Sequence, residues 1–110
     1  MPAQTFTEHV AIVAAESPRG LVLDWWRRLD MILDDYFVTR CVQRPMSRAA
    51  VEKMIAADGR LPEGLGAEIQ RLRLERNCVA HEVRVGLGQE EVTRYADRAF
   101  AAIGAFSMVL

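Results

Sequence analysis

The chain has 110 residues, 51% of them hydrophobic, and a formal net charge of −1. That length suits one domain, and the near-neutral charge with no acidic or basic tail excludes a polyelectrolyte arm as the basis of function. So short a chain buries only about two-thirds of its unfolded surface, so this much apolar character implies surface left over for a partner, most simply a second copy.

Of its fourteen basic residues all but Lys53 are arginine. Cys41 and Cys78 are isolated thiols without a CxxC or metal-ligand spacing, which reads as reduced core or interface cysteine in a cytoplasmic protein. The start "MPAQTFTEH" lacks the charged n-region and apolar run of a signal peptide. The longest apolar segment, Leu21 to Val42, is broken by Asp24, Arg27, Arg28, Asp30, Asp34 and Asp35, so it does not read as a membrane span.

Five helices are expected in chain order. "TFTE" is a capping box, with Thr5 as N-cap and Glu8 three residues on, opening a helix to about Glu16. Ser17 and Pro18 then start a second helix, which runs to about Val42 before Pro45. Its Leu21, Val22, Trp25, Trp26, Leu29, Ile32, Leu33, Tyr36 and Phe37 span about 160° of arc. That is wide for one packing face and marks a central helix. The tryptophans read as core and dimer contact.

Ser47 caps a short third helix with Val51, Met54 and Ile55 on its buried face and Met46 placed to staple onto Val51. "ADGRLPEGLG" ends it as a loop. A fourth helix starts between Pro62 and Ala67 and ends near Val85, ahead of Gly86. The last begins at about Gln89 and carries Val92, Tyr95, Ala96, Ala99, Ile103, Phe106 and Leu110 at three- and four-residue spacing. Almost nothing alternates with period two. The expected fold is all-α, a small up-and-down bundle of four to five helices forming a single domain over residues 1–110.

The fourth helix carries the chemistry. Its apolar stripe is Leu65, Ile69, Leu72, Val79 and Val83, and Arg76 falls inside that stripe. A guanidinium cannot be neutralised by losing its proton, so a stripe position forces it to find an acid, a helix C-terminus, a dimer cleft or a ligand anion. Asn77 and His81, four apart, share a second face with Leu74. His81 is expected in the last turn, where carbonyl dipoles favour the imidazolium. An arginine holds a phosphate and a titratable histidine moves a proton. RNA cleavage without a metal needs both: proton transfer at the 2′-hydroxyl or the leaving 5′-oxygen, and a fixed cation for charge developing on phosphate. Arg71, Arg73 and Arg84 can extend a positive rim, with Arg73 the candidate for substrate contact, although Glu68, Glu75 and Glu82 nearly cancel it. Asp30, at the border of the second helix's apolar face, is a candidate partner for Arg76 or His81. His9 has no neighbours that suggest a role.

"RNCVAH", residues 76–81, resembles the R-N-x-x-A-H signature of the HEPN family (higher eukaryotes and prokaryotes nucleotide-binding). The order of helices around it fits that family over residues 18–110. The resemblance implies a helical bundle that dimerises so that two copies of the motif face one cleft. It also implies a metal-independent endoribonuclease, often a toxin or antiphage component. On that basis Arg76 and His81 would be catalytic, Asn77 would orient or bind substrate, and neither metal nor cofactor would be required. Partners would be a second protomer, RNA or a nucleotide, and an antitoxin-like protein, with no membrane. Where one toxin branch has tyrosine two residues after the histidine, this chain has Val83. A weaker resemblance, "RGLVLDWWRRLDMILDD", is similar to the mannitol-operon-repressor-like branch and would imply a non-catalytic regulator or protein-binding module.

Overall fold

The computed structural model describes residues 18–40, 42–81 and 88–110. The helix expected from Thr5 to Glu16, Cys41 and residues 82–87 lie outside them. Among the described residues there are four helices and no strand: α1 (Pro18–Thr39), α2 (Arg48–Ala57), α3 (Leu65–Ala80) and α4 (Gln89–Ser107). The protein is an all-helical bundle. None of these helices is long and apolar enough to cross a membrane.

α1 is central, as its wide apolar arc requires. It packs most extensively against α4 and also against α3, while α2 lies on α3. Leu29, Leu33, Tyr36 and Phe37 of α1 meet Leu72 of α3 and Phe106 of α4 in the enclosed core. Ala96, Ala99 and Ala102 are buried on α4, and such small side chains permit the close approach of α1. Both tryptophans belong to this core, with Trp25 edge-on to Phe100 at 6.1 Å between ring centroids. Leu110, placed on the buried stripe by periodicity, is instead half exposed beyond the end of α4.

Local chemistry accounts for most helix ends. Ser47 caps α2, its hydroxyl accepting from the Ala50 N–H at 3.4 Å. The staple does not form, because Met46 is fully solvent-exposed while Val51 turns into the core. α1 ends at Thr39 rather than Val42. The Thr39 hydroxyl bonds back to the Asp35 carbonyl, and the Val42 N–H reaches Phe37, five residues back. α3 opens at Gly64, whose φ of 82° is left-handed and favours glycine.

Gly66 governs how closely α2 and α3 approach. A β-carbon there would stand 2.8 Å from the Glu52 carbonyl oxygen, a backbone atom that cannot move aside without the helix. Gly66→Ala should therefore destabilise the protein by about 1–2 kcal/mol, overpacking outweighing the gain in helix propensity. A thermal melt that rises instead would show that the two helices can part freely.

Candidate functional site

Arg76 lies between Leu72 and Val79 on the core side of α3 and is half-buried, as its place in the stripe demands. Its Nη1 donates to Asn77 Oδ1 at 3.0 Å. Its Nε is buried and has no hydrogen-bond partner. Among the described residues no carboxylate forms an ion pair with it. A neutral amide is its only described acceptor. Arg76 is therefore prepared to take up an anion.

Asn77 links the cation to the helix end. While its side chain accepts from Arg76, its backbone carbonyl accepts the His81 N–H at 3.0 Å. His81 is the C-cap of α3, with φ −92° and ψ 13°, and its side chain is exposed. α3 is described to Ala80, and the expected end near Val85 lies outside the described residues. Val83 and Arg84 lie outside the described residues. Leu74 and Cys78 are exposed on the same side as His81, so Cys78 is a surface thiol in the single chain and not a core one.

A second guanidinium arrives from the other end of the chain. Arg19, in the first turn of α1, donates from Nη2 to the Ala80 carbonyl at 3.1 Å. It closes an orphan carbonyl at the end of α3 and brings positive charge next to His81. The separation of 61 residues leaves no local signal of this contact.

Asp30 pairs with neither Arg76 nor His81. It lies 2.7 Å from Arg44, which also binds Asp34 at 2.8 Å. The reason is geometric: Arg44, in the segment after α1, folds back alongside Asp30 and Asp34, two carboxylates one turn apart. The rim arginines separate in a similar way. Arg71 is engaged by Glu68 at 3.1 Å. Glu68 and Glu75 are both bridged by Arg98 of α4, at 2.7 and 2.9 Å. Glu68 thus offsets Arg71 as well as Arg98, Glu75 is taken up by Arg98, and Glu82 lies outside the described residues. Among the described residues Arg73 bonds only to the neutral Gln70 Oε1, at 3.3 Å.

The most elaborate polar cluster was not apparent in the sequence. Asp58, read as loop, is buried at the C-cap of α2. Its carboxylate accepts from Tyr36 Oη at 2.6 Å, from Arg40 at 2.8 Å, and from the Arg60 backbone N–H and guanidinium at 2.9–3.0 Å. The Arg60 side chain above all, then Tyr36 and the Arg60 backbone N–H, hold the Asp58 carboxyl far below the usual carboxylate range. Burial, then the bond to Asp58, pushes the Tyr36 phenol up. With all its acceptor positions filled, this cluster acts as a clamp between α1 and the α2–α3 loop. A hint was present in Tyr36: a phenol on a buried stripe needs a hydrogen-bond partner.

Comparison with protein-family models, with curated proteins and with solved structures returns no match.

Proposed function

We propose that the chain is a HEPN-like, metal-independent endoribonuclease with a site composed across a homodimer, of the kind used as a toxin or defence component. The observation that carries this reading is Arg76: a half-buried guanidinium without a described acid partner, steadied by Asn77, on the helix that ends in exposed His81. In the proposed reaction Arg76 binds the scissile phosphate and stabilises charge developing on its oxygens. His81 transfers a proton to or from the attacking 2′-hydroxyl or the departing 5′-oxygen. Asn77 orients the arginine, and Arg73 contacts the strand further along α3. Dimerisation would bring two such pairs to one cleft, with exposed Leu74 and Cys78 beside His81 as the apolar part of the contact.

The test is RNA cleavage by the purified protein in EDTA, alongside light scattering to give its oligomeric state. His81→Ala should slow cleavage by about a hundredfold and leave the dimer intact. A His81→Ala protein that cleaves as fast as the parent would refute the catalytic role.

A second reading has its own support. Leu74 is more than half exposed on the face that carries Asn77 and His81, which suits a protein contact. On that reading the chain is a non-catalytic regulator or toxin–antitoxin component of the same fold. It would give a stable complex with a protein partner and no cleavage.

A further inference from the structure

One turn before Arg76, α3 borders a separate cleft of about 310 Å³. It is lined by Arg44, Arg48 and Arg73, with Trp26, Met46 and Gln70 among its walls, and no carboxylate is among the described residues that line it. The three arginines come from three different places: the segment after α1, the first residue of α2, and the middle of α3.

Their charges are not equivalent. Arg44 is more than offset by the two carboxylates of Asp30 and Asp34. Arg48 and Arg73 form no ion pair with any described residue. Gln70 holds the two together: its amide nitrogen donates to the Arg48 carbonyl at 3.0 Å, and its amide oxygen accepts from Arg73 Nε at 3.3 Å. That leaves both terminal nitrogens of Arg73 without an acceptor among the described residues. Burial, and then the charge of Arg48, lowers the pKa of Arg73 from the usual arginine value. Arg48 is exposed and Arg73 half-buried, and two like charges near one another repel unless an anion lies between them. A second cleft, where α3 meets α4, differs in this respect. Its Arg71 and Arg98 are both satisfied by Glu68.

We propose that the Arg48–Arg73 cleft binds a backbone phosphate of a single-stranded RNA, as a subsite next to the Arg76–His81 site. The proposal rests on the ribonuclease reading for the identity of the anion. Arg73, Asn77 and His81 are spaced by four residues on α3, so the subsite and His81 are about 12 Å apart along the helix axis. A strand lying along α3 would reach both. Exposed Met46 at the mouth offers an apolar contact for a base or ribose.

The test uses a short, fluorescently labelled, 2′-O-methylated oligo-uridylate, which lacks the attacking hydroxyl and stays intact. Its affinity is measured by anisotropy over a range of salt concentrations. Arg48→Ala with Arg73→Ala should weaken binding about tenfold and reduce the salt slope by about 1.4, the value for two lost contacts to a single strand. Arg48→Lys with Arg73→Lys should keep most of the slope, and Arg71→Ala should leave binding unchanged. An alanine double variant that stays folded and binds with unaltered affinity and slope overturns the proposal. Displacement of the oligonucleotide by an equal concentration of uridine monophosphate overturns the strand as occupant. The two readings also fail separately. Cleavage undiminished in the alanine double variant removes the subsite and leaves the nuclease. Strand binding that needs both arginines, without any cleavage, supports the subsite and removes the nuclease.

Discussion

Exchanging Arg76 for methionine is expected to reduce the proposed RNA cleavage about a thousandfold while leaving the helices folded. The two halves of this expectation have separate causes. The guanidinium lies on the core side of α3 with a buried Nε that donates to nothing, which is an energetic cost in the folded state. Methionine fills an irregular gap between Leu72 and Val79 without a buried donor. Stability should therefore hold or rise by about 1 kcal/mol. Activity should fall because no other described cation replaces Arg76 on the core side of the helix. Melting curves and cleavage rates on one preparation check both halves. A variant that unfolds would make Arg76 a structural residue, and one that still cleaves would move the phosphate site elsewhere.

The largest effect on stability is expected at Asp58. Asp58→Ala removes the acceptor shared by Tyr36, Arg40 and Arg60 and frees the loop between α2 and α3 from α1. Loss of a buried charged partner costs about 3–5 kcal/mol when the remaining charge is trapped. Here the Arg40 and Arg60 side chains are 39% and 56% exposed and can turn to water. A loss of about 3 kcal/mol, near the lower limit, is expected. Chemical denaturation of the variant beside the parent measures it. The pH dependence follows from the depressed carboxyl. The contribution of Asp58 is fully present above the unfolded carboxyl value of about 3.9 and is lost as pH falls below it toward the lower folded value. The gap between parent and Asp58→Asn should therefore be flat from neutral pH to about 5 and narrow in stronger acid. A gap that widened in acid would show that Asp58 is not the ionised member of the clamp.

The features legible in the sequence share a short range. Ser47 announces the start of α2 because a cap needs only three residues. The apolar arc of α1 reveals its central position because helical periodicity repeats within a few turns. Arg76 stands out because it interrupts a stripe that it also belongs to. The misreadings share a different trait. Met46 had the spacing of a staple, but whether it packs depends on the path of the chain before α2. Asp30 had two candidate partners on α3, yet the chain after α1 brought Arg44 to it first. The loop containing Asp58 was placed correctly, but the burial of its carboxylate against Tyr36, Arg40 and Arg60 depends on α1 packing over that loop.

The sequence by itself determined that the described chain is helical, roughly where its four described helices lie, which faces they bury, and that α3 carries an arginine on its core side and leads into a histidine. Only the tertiary structure decided which charges meet. Periodicity and capping are properties of neighbours along one helix, whereas an ion pair depends on how separate helices converge. Thirteen arginines and fifteen acids allow many pairings, and packing selects among them. It joins Arg44 to Asp30, Arg98 to Glu68 and Glu75, and Arg40 to Asp58. By the same selection Arg48, Arg73 and Arg76 are left without a described acid, and those are the cations on which the proposed phosphate contacts depend.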